Sequence, residues 1–254
     1  YSRQILGFDK EIDYQNCELQ ASSFFKKIFI RKDPPFNDDY LNLTYLLDHA
    51  DKEGIEVINN PSSIRNHNEK LSTLNFKEII PPTIVTSNSY DVINFLNIHK
   101  KIVLKPINEM GGNGIFLIEK LDKNLNSILE TLTVNDTKVM MAQKYIPDIT
   151  EGDKRIIVIK GEPLPFCLAR IPDEKDFRAN LAKGGNGVAK KLTADDIKIV
   201  NLIKDYLVKR KLDFVGIDVI GKYLTEINVT SPTCLVEIEN QTNFDCAKFI
   251  IDTL

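Results

Sequence analysis

Histidine is scarce in this 254-residue chain, cysteine is sparse, and no stretch stays apolar for long. The three histidines (His49, His67, His99) are scattered over segments that read as helices, which leaves little for a zinc site or a Ser-His-Asp triad. The four cysteines (Cys17, Cys167, Cys234, Cys246) form no CxxC pair and read as reduced, packed thiols of a cytosolic protein. No apolar run approaches the roughly 18 residues of a membrane helix. The candidates, such as "KIVLKP" and "LDFVGIDVIG", have the length of buried strands. No signal peptide is visible, and the first residue is Tyr1, not Met. A net charge of −3 argues against non-specific nucleic-acid binding. What remains is 43% hydrophobic and 27% charged, the composition of a globular protein with one large or two modest domains.

Glycine is thin as well, with twelve in the chain, yet three fall in four positions twice: Gly111–Gly114 and Gly184–Gly187 both read GGNG. The pattern around them divides the chain. Up to about residue 100, strands alternate with helices: "KKIFIR", then a helix over "DDYLNLTYLLDHADK" with Leu43, Leu46, Leu47 and Ala50 at helical spacing and Gly54 as its stop. "IEVI", a short helix opened by "NNPSSIR", and "PTIVT" follow, with Ser87 as N-cap of the next helix. Beyond residue 100 hairpins dominate: "KIVLKP" with "GIFLIEK", "RIIVIKGEPLPFCLARI" turning at Lys160–Gly161, and "FVGIDVIGKYLTEINV". A helix capped by Thr193 lies between the last two. This predicts an α/β unit followed by an α+β unit with antiparallel sheets.

The first GGNG has two readings. It is a tight hairpin turn, or a loop whose bare backbone N–H groups approach phosphate oxygens. No Lys-Ser/Thr follows, so it is not a Walker A loop. Lys105, which ends an otherwise apolar strand, favours the second reading, because a lysine there is costly to bury without an anion. Lys70 in "NEKL" is a second cation in the context of a surface lysine. Further on, Asp218, Glu226 and Asn228 lie on neighbouring strands and offer the hard oxygens that Mg²⁺ takes. A strict two-residue turn at Gly221–Lys222 would put Asp218 on the opposite face from Glu226. A bulge or longer loop would pair them, and that is the arrangement expected; the competing reading is a solvated acidic face. Lys154, Arg155, Arg170 and Arg178 form a run of cations. Arg155 starts one strand of a hairpin and Arg170 ends the other, so they either hold an anion between them or are surface arginines.

The stretches "RKDPPF", "VINNPSSIRNHNEKL", "LKPINEMGGNGIF", "MAQKYIP", "GDKRIIVIKGEPLPFCLARIP", "RANLAKGGNG", "FVGIDVIG" and "LTEINVTSPT" together resemble the bacterial glutathione synthetases of the ATP-grasp superfamily. The resemblance spans almost the whole chain. It implies an ATP-grasp fold, with ATP sandwiched between two antiparallel-sheet subdomains. An α/β substrate-binding unit over residues 1–68, truncated at its start, would precede an ATP-grasp domain over 69–254. The nucleotide-binding subdomain would cover about 80–147 and the catalytic and metal subdomain about 148–254. A further βα unit is expected ahead of Tyr1.

By resemblance, Lys70 and Lys105 contact the ATP phosphates, and Gly111, Gly112, Asn113 and Gly114 close over them. Gln143, Lys144, Tyr145 and Ile146 read adenine through their backbone, and Asp153 holds the ribose. Asp218, Glu226 and Asn228 bind two Mg²⁺, with Mn²⁺ an alternative. Arg155 and Arg170 face an acyl phosphate; Arg178, Asn180 and the second GGNG belong to a mobile lid over it. Ser231, Pro232 and Thr233 take the peptide substrate, and Arg31 helps hold γ-glutamylcysteine. The implied reaction joins γ-glutamylcysteine to glycine at the expense of ATP, in a cytoplasmic homo-oligomer, a tetramer by resemblance. Another ATP-grasp carboxylate–amine ligase and a non-catalytic ATP-binding domain are the alternatives.

Overall fold

The computed structural model describes residues 2–5, 17–20, 24–173, 176–181 and 184–254. A two-stranded antiparallel pair, β1 (Ser2–Ile5) with β2 (Cys17–Gln20), comes first. Then β3 (Lys27–Phe29) pairs in parallel with β4 (Glu56–Ile58) across α1 (Asp38–Lys52), and α2 (Pro61–Arg65) follows. Asn37 caps α1 through Tyr40 N–H, and Asp38 and Asp39 suit its positive end. The buried face of α1 carries Tyr40, Thr44 and Ala50; of the rest of the spaced apolar set, Leu47 packs against the core and Leu46 is 69% exposed. Thr44 is tolerated inside because its hydroxyl donates to the Leu41 carbonyl.

Two larger antiparallel sheets follow. The four-stranded one has the order β5 (Thr83–Thr86), β8 (Met140–Lys144), β6 (Lys101–Pro106), β7 (Phe116–Glu119). Its outer face is covered by α3 (Ser89–His99) and α4 (Leu125–Thr133), where Phe95, Leu96 and Leu129 meet Ile102, Leu104 and Ile118. The N-cap of α3 is Asn88, one residue beyond the expected Ser87. Its amide oxygen accepts from Tyr90 N–H, while Thr86 Oγ1 accepts from the Asn88 N–H.

The five-stranded sheet has the order β11 (Asn186–Lys191), β10 (Glu162–Ile171), β9 (Asp153–Ile159), β12 (Phe214–Ile220), β13 (Tyr223–Asn228). Its central strands are buried on both faces, which explains their nearly unbroken Ile/Val content. On one face lies α5 (Ala194–Lys209), with Ile199, Val200, Ile203 and Leu207 in the core. On the other lie α6 (Leu235–Thr242) and α7 (Cys246–Thr253). Thr193 and Asp196 close a capping box at the start of α5. The β9–β10 turn falls at Lys160–Gly161, as expected, with φ of 47° and 81°.

The N-terminal α/β unit is latched to the outer edge of this sheet. Asn59 Nδ2 donates to the carbonyls of Phe214 (2.8 Å) and Val229 (2.9 Å), and its Oδ1 accepts from Phe214 N–H (2.6 Å). The segment after α2 covers the free edge of β13: Glu69 and Ile79 carbonyls accept from Ile227 and Leu224 N–H groups.

His67 lies off the helices and inside the core, not on a helix as its segment reads. Its Nδ1 meets the Tyr206 hydroxyl at 3.2 Å and its Nε2 the Ile227 carbonyl at 3.0 Å. The imidazole is therefore held neutral, with Nε2 carrying the proton. Burial pushes its pKa down to about 4, although the bond to Ile227 opposes this. In the unfolded chain it titrates near its ordinary 6.5, so stability is lost as pH falls from about 6.5 to about 4. At about pH 5 the loss attributable to this group is about 2 kcal/mol. Urea unfolding at neutral and acidic pH checks it: His67→Gln is less stable at neutral pH, but the gap to wild type narrows on acidification. A gap that stays constant contradicts the account.

A candidate active-site cleft between two sheets

The two large sheets face each other across a cleft, and strand periodicity decides what they present to it. On β6, Ile102 and Leu104 go into the helix-covered core, while Val103 and Lys105 face the cleft. On β9, Asp153 and Arg155 face the cleft side; Lys154 points the other way and pairs with the fully buried Asp196 under α5. Lys154 thus leaves the cation cluster for the scaffold.

The first GGNG sits in a connection of nine residues, longer than a tight turn. It links β6 to β7 as a hairpin connection, and Gly111 and Gly112 also line the cleft. Gly111, Gly112 and Gly114 have φ of 60°, 78° and 64°. A Cβ on Gly114 would also lie 2.9 Å from Pro106 Cγ. Lys105 sits beneath this loop and is 8% exposed. Among the described residues no carboxylate lies within ion-pair distance of its ammonium. Burial pulls its proton affinity down, Lys70 adds to this, and Glu226 opposes it. Lys70 is buried too, not on the surface; its Nζ donates to the Glu109 carbonyl and lies 3.8 Å from Glu226.

At the back of the cleft, β8 runs into Tyr145 and Ile146. The Gln143 side chain lies on the cleft face opposite Val103 and donates to Thr83 Oγ1 at 3.1 Å. Tyr145 N–H donates to the Lys101 carbonyl, and the Lys101 ammonium sits 4.5 Å from the Tyr145 ring centroid. Ile115, Ile146, Ile149 and Phe177 give this end an apolar lining.

The hairpin of β12 and β13 has the expected bulge. Val219 pairs with Leu224, then Thr225 is passed over, and Asp218 pairs with Glu226. Thr225 Oγ1 donates to the Asp218 carbonyl at 3.1 Å, which fixes the bulge. Asn228 stands two residues on, its Nδ2 donating to the Gly216 carbonyl at 3.1 Å.

Arg155 and Arg170 do come together, and an anion does lie between them, but it belongs to the protein. Arg155 Nε and Nη2 reach Asp218 Oδ1 and Oδ2 at 2.5 and 3.0 Å. Arg170 Nη2 is 3.0 Å from Asp218 Oδ2 and 2.6 Å from Asp153 Oδ2. Burial opposes the ionised form of Asp218, yet the two arginines outweigh it and hold its carboxyl well below the usual range. For Asp153 burial wins over Arg170, with Asp218 and Glu226 pushing the same way, so its proton affinity rises. Asp153 Oδ1 is buried and has no partner among the described residues. Among the described residues, no group of three or more His, Cys, Asp or Glu side chains converges as a metal cage. The oxygen donors here are two carboxylates and an amide.

Arg178 reaches across to the glycine loop, its Nη1 donating to the Gly112 carbonyl at 3.0 Å, while Asp176 holds its other nitrogens. Asn180 lines the cleft beside it. The second GGNG is only half a loop. Gly184 (φ 89°) and Gly185 turn the chain, whereas Asn186 and Gly187 begin β11 and pair with Ile171 and Arg170. A Cβ at Gly185 would fall 2.2 Å from the Ala179 carbonyl oxygen. Lys175, Ala182 and Lys183 of the expected lid lie outside the described residues.

A second cavity adjoins the first, bounded by Arg155, Arg170, Ser231 and Thr233. Arg31 is not open to it; its Nη2 donates to the Pro232 carbonyl at 2.6 Å, and its guanidinium lies 4.8 Å from the Phe214 ring centroid. The sequence reading overlooked Glu69, which lines this cavity; the only signal was its position beside Lys70.

Two antiparallel sheets enclosing lysines, arginines and carboxylates beneath a glycine loop define the ATP-grasp class. Residues 69–243 match the family model "Prokaryotic glutathione synthetase, ATP-grasp domain" and residues 7–65 its N-terminal domain. The chain is similar to the glutathione synthetase of Nitrosomonas europaea, 48% identical over 91% of this chain and 72% of that one. It is also similar to that of Vibrio vulnificus, at 46% over 97% of this chain and 76% of the relative. Among solved structures it shares its fold with the ATP-grasp ligase PsnB (TM-score 0.66, 16% identity, 90% of this chain and 77% of that one). The D-alanine–D-alanine ligase from Bacillus anthracis gives a TM-score of 0.57 at 16% identity, over 86% of this chain and 75% of that one. The chain belongs to the prokaryotic glutathione synthetase family. It is an ATP-using ligase that forms carbon–nitrogen bonds.

The Asp218 pairing makes a direct prediction. Asp218→Asn leaves two buried guanidiniums with one carboxylate between them, and is expected to cost about 3 kcal/mol in urea unfolding. Wild-type stability in this variant would contradict the pairing.

Proposed function

We propose that the cleft joins γ-glutamylcysteine to glycine, converting ATP to ADP and phosphate through an acyl phosphate on the cysteinyl carboxylate. The observation that carries the reading is Lys105: a buried ammonium with no carboxylate in ion-pair reach among the described residues, under a side-chain-poor loop. Such a cation calls for a polyanion from outside. In this reading Lys70 and Lys105 take the phosphates, and Gly111–Gly114 closes over them with backbone N–H groups. Asp153 Oδ1, buried and without a partner among the described residues, suits a ribose hydroxyl. The β8 exit, Gln143 to Ile146, receives the base through its backbone, with Lys144 and Tyr145 at the edge.

A free carboxylate is a poor acyl donor. Transfer of the γ-phosphoryl group to it creates a leaving group, after which the glycine nitrogen attacks and phosphate departs. No protein nucleophile is required. Arg155 and Arg170, held rigid by Asp218 and Asp153, would stabilise the charge that develops on the transferring phosphoryl and acyl oxygens. Arg178 and Asn180 would exclude water from the acyl phosphate. Ser231 and Thr233 form the side of the second cavity that would receive the peptide; Pro232 lies buried between them, its carbonyl braced by Arg31.

The donor set of Asp218, Glu226 and Asn228 fits Mg²⁺, or Mn²⁺, because it is all hard oxygen on one face of a hairpin. Asp218 Oδ1 keeps a lone pair beyond its bond to Arg155, and among the described residues Glu226 is engaged only by Lys70 at 3.8 Å. Two ions bound there would neutralise phosphoryl oxygens. The same reading makes the protein a cytoplasmic homotetramer.

Phosphate release by the protein with ATP, Mg²⁺, γ-glutamylcysteine and glycine tests the reaction. Release should require both amino-acid substrates and yield glutathione. Release with a different acid–amine pair would overturn the substrate, and ATP binding without release would overturn the chemistry. Arg155→Ala should lower turnover by about 100-fold while ATP affinity changes little. Equal losses in both would contradict the role given to Arg155.

A further inference from the structure

Glu69 is held in an unusual way for a surface-proximal glutamate. Its Oε1 accepts from Val229 N–H at 3.2 Å and from Thr230 Oγ1 at 3.1 Å. Its Oε2 meets no donor among the described residues and stays accessible from the cavities that Glu69 lines. One oxygen is thus anchored and the other is offered. The adjacent Lys70 does not take it, since that ammonium is committed to the Glu109 carbonyl and to Glu226. Burial raises the proton affinity of Glu69, and Glu226 adds to this, so a cation arriving at Oε2 relieves an unfavourable charge.

The cavity is chemically two-sided: Arg155 and Arg170 bound it on one side, and Glu69 with Thr230 bounds it on another. The arginine side suits an anion and the Glu69 side a cation. Resting on the reaction assigned above, two substrate groups are cationic: the glutamyl ammonium of γ-glutamylcysteine and the ammonium of glycine. The glutamyl ammonium is many bonds from the reacting carboxylate. The glycine nitrogen must lie against that carboxylate, next to the phosphates. Glu69 is at the phosphate end, electrostatically coupled to Glu226 and Lys70.

We propose that Glu69 is the receptor for the ammonium group of the incoming glycine and sets its nitrogen beside the acyl carbon. In the step it serves, the nitrogen lone pair forms the C–N bond. The C–O bond to the phosphoryl group breaks, its electrons leaving with phosphate. The protons shed by nitrogen pass to the departing phosphate and to water.

Glu69→Gln keeps an oxygen acceptor for Val229 and Thr230 but removes the charge. It is expected to raise the KM for glycine about 10- to 100-fold, with much smaller changes in the KM for ATP and γ-glutamylcysteine. Glu69→Asp, which keeps the charge, should recover part of the loss. Hydroxylamine supplies a second readout, because it traps an acyl phosphate as a hydroxamate without presenting an ammonium group. Glu69→Gln should lose far less rate with hydroxylamine than with glycine. Equal losses with both nucleophiles, or a matching rise in the KM for γ-glutamylcysteine, would overturn the role. If wild-type protein forms neither glutathione nor hydroxamate, the reaction itself is wrong and this role falls with it.

Discussion

The cleft is organised around one buried carboxylate. Asp218, 2% exposed, lies between Arg155 and Arg170, and Arg170 in turn holds Asp153. These four residues come from three adjacent strands of one sheet. Bringing charged groups this deep is costly, and their mutual attraction offsets the cost only if the geometry is close and every partner is present. That constraint fixes the register of β9 against both β10 and β12, where Asp218 lies opposite Arg155 and Arg170 opposite Asp153. It also fixes the arginines in place before any substrate arrives, which is what electrostatic stabilisation of a transition state requires.

The rest of the protein holds this sheet rigid and gives it a partner across the cleft. Apolar helices cover both of its faces, and the N-terminal unit grips the end of β12 through Asn59. Arg31 reaches the Pro232 carbonyl from the same unit, a second tie between it and the segment that follows β13. Facing them, the four-stranded sheet contributes Lys105 and the glycine loop, and Arg178 spans the gap to that loop. The opposite edge, by contrast, is closed by the short strand β11, which leaves only Gly184 and Gly185 of the second GGNG free to turn.

Much of this was legible in the sequence because strand alternation is a strong signal. The spacing of Glu226 and Asn228 among Leu224, Ile227 and Val229 announced a one-sided polar strand, and the demand that Asp218 join them announced the bulge. The lysine at the end of "IVLK" pointed to the cleft for a similar reason. What stayed hidden depends on contacts between distant segments. Nothing local says that the anion between Arg155 and Arg170 is Asp218, 63 residues from Arg155. Glu69 looked like any glutamate beside a lysine, because its partners, Val229 and Thr230, are 160 and 161 residues away. His67 reads as one more helical histidine until Tyr206 and Ile227 are seen on either side of it. On α1 the core takes Tyr40 and Thr44 beside Leu47 and Ala50 of the spaced set, and leaves Leu46 outside, a choice that only the neighbouring elements make. Ser87 and Asn88 are nearly equal as caps by type, so the choice between them rested on Thr86.

The central claim is that this cleft activates a carboxylate by phosphorylation. It is tested most directly by supplying γ-glutamylcysteine whose cysteinyl carboxylate carries a heavy-oxygen label, and weighing the phosphate released. An acyl phosphate passes one carboxylate oxygen to phosphate when the amine displaces it, so labelled phosphate should appear in step with glutathione. Unlabelled phosphate accompanying glutathione would mean that the carboxylate was never phosphorylated, and the account of the arginine pair would fail with it.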